Sequence, residues 1–148
     1  MDADLSTPLN EMSRLNDIII QTNAQIIFGA RVLMCNRLIK RSPIRHYLGR
    51  ILISCLSPFL KQKIYDTQCG AKIFDSKLIT DIFRHKFISR WLFDIEIFFR
   101  INKIYGINIK MIEEPLYEWV DDGDSRIRLF DFLLIPFSLL IIIWRYRN

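Results

Sequence analysis

The most apolar stretch of the chain, Leu129 to Trp144, is interrupted by Asp131 and Pro136 and closes on Arg145-Tyr146-Arg147-Asn148. Its uncharged part, Phe132 to Trp144, would reach only about 20 Å as a helix at 1.5 Å per residue. That falls short of a hydrocarbon core of about 30 Å, so a simple membrane-spanning fold is not expected. A helix lying in the membrane interface or packed on a partner suits it better, with Trp144 and Tyr146 at head-group level and the arginines on the cytoplasmic side. The other 128 residues must then build a core of their own.

They have the material for one. Of 148 residues, 51% are hydrophobic and 25% charged, with a mean hydropathy of +0.16, too many charges for a bundle of spans and high for a domain in free solution. A net charge of +5 suits anionic lipid head groups, phosphorylated substrates or nucleic acid equally. The basic residues are scattered among apolar ones with no recognition-module pattern, so nucleic acid is not an expected partner. Cys35, Cys55 and Cys69 have no C-x-x-C spacing and read as reduced thiols of a cytosolic environment. His46 and His85 stand far apart, without partners at metal-ligand spacing.

Periodicity alternates between helix and strand. Leu9, Met12, Leu15 and Ile19 recur at three-to-four spacing and predict a helix from Pro8 to Asn23, with Ser6 and Thr7 as candidate caps. Ala24 to Phe28 reads as a buried strand stopping at Gly29-Ala30-Arg31. Arg31 would lie just beyond a strand end, where α/β sheets gather ligands, as either an anion-facing cation or a solvated one. From Leu33 to Lys63 the chain is basic and apolar together, the makeup of an interfacial helix region or of a core helix with a charged end. Tyr65 to Gly70 reads as a tight loop before a short strand, Ala71 to Phe74. Helices are predicted from Asp75 to Phe87 and from Arg90 to Tyr105, stopped by Gly106. On the second of these, Asp94 and Glu96 must diverge, one toward a site and the other toward a neighbour. Asn108 to Glu113 reads as an edge strand, Pro115 to Val120 as extended, and Asp121 to Arg126 as an acidic turn, either solvated or gathered around a cation.

The chemistry-bearing residues begin with Asp2 and Asp4, one residue apart. Two hard oxygen ligands on a short turn can hold Mg²⁺ or Mn²⁺ against a diphosphate; an acidic helix-capping region is the plainer alternative. The sequence D-A-D-L-S-T-P, then G-A-R, D-T-Q-C-G-A-K, R-W-L-F-D-I-E and E-W-V-D-D-G-D-S-R resembles, in order and nearly end to end, the second half of a family 2 glycosyltransferase. The resemblance is to the branch of dolichyl-phosphate and polyprenyl-phosphate sugar synthases. It implies an α/β fold: an incomplete GT-A type mixed sheet with flanking helices in residues 1–128, the acceptor-side half, followed by a hydrophobic membrane-associated helix in 129–148.

By the same resemblance, Asp2 and Asp4 match the acids that hold the divalent ion. Arg31 lies near phosphates, Arg45 and Arg50 fall in the basic stretch that meets the acceptor phosphate, and Asp66 and Gln68 belong to the acceptor-side loop. Asp94 matches the base or acceptor-orienting acid, and Ala71 replaces a common aromatic residue. The expected partners are a nucleotide-sugar donor, a polyprenyl-phosphate acceptor, a membrane surface on its cytoplasmic face and a complementing N-terminal half carrying the nucleotide pocket, without which the chain is expected to be inactive. The alternative is a non-catalytic membrane-surface or partner-binding protein derived from such an enzyme.

Overall fold

The computed structural model describes residues 6–34, 36–40, 43–120 and 129–147, with side chains described except at 40, 43–46, 48–50 and 129–133. The Pro8–Asn23 periodicity folds as α1 (Leu9–Thr22), with Pro8 at the N-cap and Asn23 as a left-handed C-cap at φ 50°. Ser6 and Thr7, read as caps, do not cap it. Both are buried, and the Ser6 carbonyl instead accepts a hydrogen bond from the Val120 amide at 3.0 Å.

After α1 come β1 (Ile26–Ala30), β2 (Leu38–Lys40), α2 (Pro43–Leu56) and a single 3₁₀ turn, Ser57–Phe59. β3 (Lys72–Phe74), α3 (Ser76–Phe83), α4 (Phe93–Ile104), β4 (Met111–Pro115), β5 (Glu118–Val120) and α5 (Leu129–Tyr146) complete the order. Several boundaries differ from the sequence reading, α3 for one stopping at Phe83 and β4 running from Met111 to Pro115. β1 carries on through Gly29 and Ala30 because β4 pairs with both, and the Gly29 amide donates to the Ala71 carbonyl on the other side at 2.8 Å. α4 starts three residues after Arg90 because the Ser89 hydroxyl accepts from the amides of Trp91 and Leu92 at 3.2 Å and holds a turn there. Gly106, at φ 61°, ends the segment after α4 as expected. The Leu33–Lys63 stretch is helical only in α2; Leu38–Lys40 becomes a strand because β5 offers it a parallel ladder.

The main sheet has the order β3-β1-β4, with β1 antiparallel to β3 and parallel to β4, and the second sheet pairs β2 with β5. Every residue of β1 is buried. Because directly opposed residues share a face, the register sorts the core into two layers. Ile27, opposite Ile73 and Ile112, packs with Leu15 of α1 in one cluster. Ile26, opposite Phe74 and Met111, and Phe28 pack with Phe98, Ile95 and Leu78 of the other helices. The Phe28 and Phe98 rings meet edge-on, centroids 4.9 Å apart. The result is a mixed α/β arrangement with a mixed sheet and flanking helices, as expected.

α5 lies on α4. Ile142 is buried outright, and Ile135, Leu139, Ile143 and Tyr146 pack against the same core. Among the described residues, no helix is long and apolar enough to cross a membrane. The two helices are also joined by a buried polar knot. Arg100 donates to Glu96 at 2.8 Å and to the carbonyls of Ile82, His85 and Lys86 at 2.6 to 2.8 Å, with the Phe87 ring 4.1 Å from its guanidinium. Glu96 accepts in addition from the Ile88 amide at 2.7 Å and the Tyr146 hydroxyl at 2.8 Å. Burial, and then the bond to Glu96, push the Tyr146 phenol above its ordinary pKa. Glu96 is thus the member of the Asp94/Glu96 pair that faces a neighbour.

Candidate functional site at the end of the central strand

β1 delivers Arg31 to the carboxyl end of the main sheet, where it clamps Asp66. The Arg31 amide and Nε donate to Asp66 Oδ2 at 3.1 and 2.7 Å, and Nη2 donates to Oδ1 at 2.8 Å. Asp66 Oδ1 also accepts from the Gln68 amide at 3.2 Å, the tight-loop bond that Asp supplies to its own backbone. From the other side, the Glu113 carboxylate of β4 takes the amides of Tyr65, at 2.8 Å, and Asp66, at 2.7 Å. The loop after Tyr65 is therefore held between a cation and an anion supplied by two adjacent strands. The Arg31 guanidinium lies 5.0 Å from the Trp119 ring. The buried Trp119 Nε1 has no hydrogen-bond partner among the described residues.

A second ion pair joins this clamp to α4. Lys72 and Glu113 flank Phe28 in register, one on each neighbouring strand, so all three project to the α4 side. Lys72 Nζ donates to Asp94 Oδ1 at 2.7 Å and to the Cys69 carbonyl at 2.5 Å, and lies 5.9 Å from the Phe98 ring. Asp94 stands in the first turn of α4, where the helix dipole favours an anion. Beneath the loop, burial and the nearby Asp66 charge push the Cys69 thiol up to about 11. Close packing here extends to the backbone: a Cβ on Gly29 would stand 2.7 Å from Leu116 Cδ2 and 3.1 Å from Cys69 Sγ.

Of the residues singled out in the sequence, Arg31, Asp66, Gln68 and Asp94 come together around one loop. Gln68 enters through its backbone amide. Asp2 and Asp4 lie outside the described residues, as do the acids of the Asp121–Arg126 stretch; Arg45 and Arg50 fall on α2, their side chains outside the description. Among the described residues, no group of three or more His, Cys, Asp or Glu could hold a metal ion. The described carboxylates of the cluster are engaged already, by Arg31, by backbone amides and by Lys72. Sequence reasoning missed Lys72, Glu113 and Trp119. Glu113 and Glu114, two successive carboxylates closing an apolar strand, were the available signal for the second of these.

Chemically, the arrangement fixes charge rather than leaving it mobile. Two ion pairs and a carboxylate–amide fork rigidify a loop at a strand end, the place where α/β sheets receive phosphorylated ligands.

Comparison with known proteins follows the same line. The chain is 29% identical over 161 residues to the dolichyl-phosphate beta-glucosyltransferase of Dictyostelium discoideum, a match covering all of this chain and 48% of that protein. It is 30% identical to the enzyme of the same name from Saccharomyces cerevisiae, covering 98% of the chain and 46% of the relative. A dolichyl-phosphate beta-glucosyltransferase of Trichomonas vaginalis is 26% identical, covering 95% and 43%. The chain spans about half the length of the curated relatives it matches. No protein-family model and no solved structure matches it. The chain thus resembles about half of a dolichyl-phosphate beta-glucosyltransferase.

Proposed function

We propose that this chain forms the acceptor-side half of a GT-A type transferase that moves a sugar from a nucleotide-sugar to a polyprenyl phosphate of the dolichyl kind. In the step, an acceptor phosphate oxygen forms a bond to the anomeric carbon as the bond from that carbon to the donor's diphosphate breaks, and the nucleoside diphosphate leaves. A polyprenyl monophosphate is already ionised near neutral pH, so position and charge matter more than proton removal. Arg31 meets phosphate as one arm of the clamp that orients Asp66 and the Gln68 loop, with Arg45 and Arg50 as further phosphate partners on α2. Asp94, fixed by Lys72, orients the acceptor. Mg²⁺ or Mn²⁺ held by Asp2 and Asp4 would neutralise the leaving diphosphate.

The observation that carries this reading is the similarity to dolichyl-phosphate beta-glucosyltransferases along essentially the whole chain. Its test joins the chain to the remaining half of the Saccharomyces relative and supplies nucleotide-glucose, a divalent cation and dolichyl phosphate. Lipid-linked glucose is expected from the joined protein, is lost in Asp94→Asn and in Asp2→Asn with Asp4→Asn, and is absent for the 148-residue chain alone. Transfer by the isolated chain would refute the half-domain reading. Failure of the joined protein, together with no binding of a short-chain polyprenyl phosphate, would refute the transferase reading in favour of a non-catalytic role.

A further inference from the structure

α5 is apolar on both sides. At 100° per residue, Ile135, Leu139, Ile142, Ile143 and Tyr146 occupy the arc turned to α4 and the core. Leu134, Phe137, Leu140, Ile141 and Trp144 occupy the opposite arc of about 120° and are 52 to 81% exposed. Five large hydrophobic side chains in one contiguous stripe is more than scattered surface apolarity. The charge at its end has one sign: Arg145 and Arg147 follow the stripe, exposed Lys103 reaches the Arg145 carbonyl at 3.4 Å, and no acidic residue lies between 134 and 147. Trp144, 81% exposed, sits where the apolar stripe meets those cations.

The geometry points to this stripe as the surface on which the protein lies against an anionic lipid bilayer. The apolar arc enters the acyl boundary, Trp144 takes the head-group level, and Arg145, Arg147 and Lys103 meet lipid phosphates. Among the described residues no helix is long and apolar enough to span, and α5, fastened to the core by its inner face and apolar on its outer face, is suited to lying flat. Charge complementarity selects anionic lipid over an uncharged apolar partner, since the cations cluster at the stripe's end rather than around it. The inference extends the transferase reading by naming where a lipid-linked acceptor is met, and its test contains neither donor nor acceptor, so the two fail separately.

The test is co-sedimentation of the 148-residue chain with phosphatidylcholine vesicles, with and without phosphatidylserine. Binding is expected to the anionic vesicles and to weaken in Arg145→Gln with Arg147→Gln. Phe137→Glu with Leu140→Glu, on the outer arc and so leaving the helical circular dichroism unchanged, is expected to lower the partition coefficient about 100-fold or more. Brominated acyl chains should quench indole fluorescence in the parent and not in Trp144→Phe. Binding to neither vesicle, or binding undiminished in the outer-arc variant, would overturn the inference. So would a doubled mass in lipid-free buffer that the same variant abolishes, which would make the occupant a second copy.

Discussion

Arg100→Met should be the most destabilising single replacement that changes so little volume. In the native protein Arg100 is 5% exposed and Glu96 fully buried, so the replacement leaves Glu96 as a buried carboxylate without its countercharge. It also strips donors from the carbonyls of Ile82, His85 and Lys86. Breaking one side of a buried ion pair costs about 3–5 kcal/mol, a large share of the 5–15 kcal/mol typical of a whole domain. Adding Glu96→Leu removes the stranded charge, so the double variant should be about 2 kcal/mol more stable than Arg100→Met alone, though still below the parent because the carbonyls stay unpaired. Tyr146→Phe, which removes one donor to Glu96, should cost about 1 kcal/mol. The assay is urea unfolding followed by circular dichroism, read at constant denaturant slope. Should Arg100→Met leave no folded baseline, Arg100→Lys keeps the charge, loses the fork and remains measurable. A loss below about 1 kcal/mol for Arg100→Met, or a double variant less stable than the single, would refute the reasoning.

At Gly29, alanine should cost about 1–3 kcal/mol because its Cβ overlaps Leu116, and Leu116→Ala in the same chain should make the added methyl much better tolerated; equal cost in both backgrounds would show that the contact is not the cause. Cys69 makes stability depend on alkali. Its thiol pKa is raised from 9.0 to about 11, so above pH 9 the unfolded chain releases a proton that the folded chain keeps, and unfolding becomes easier as pH rises toward 11. The loss amounts to about 3 kcal/mol at most and should be absent from the pH slope of Cys69→Ala, measured over the same range by urea midpoint. Parallel slopes for parent and variant would contradict the burial of that thiol.

Local pattern made α1, β1 and α4 legible, because each pairs a clear period with its own punctuation: Pro8 and Asn23, Arg31, Gly106. What stayed hidden was every relation made at long range. Arg31 and Asp66 were each singled out, yet nothing in a separation of 35 residues says that they grip one another. Lys72 reads as one polar position in a three-residue strand; its importance comes from its ion pair with Asp94, 22 residues further on. β2 was concealed by its surroundings, since three strand residues inside a basic, apolar stretch carry too little alternation to outweigh helix periodicity. The tail was read as apolar throughout with Tyr146 at head-group level, while its attachment through Tyr146 depends on Glu96, a residue whose burial no spacing announces.

The parallel pairing of β1 with β4 sets the order in which this protein can fold. Ile26 sits opposite Met111, so the central strand cannot complete its ladder until 85 further residues have been made and a loop of that length has closed. Meanwhile β1, apolar on both faces, can borrow only β3 for an edge. Contacts of such high sequence separation slow the search for the native state and prolong the life of sticky intermediates. During synthesis at about 5–20 residues per second, β1 would wait several seconds for its parallel partner, an interval in which a holding chaperone has the most to offer.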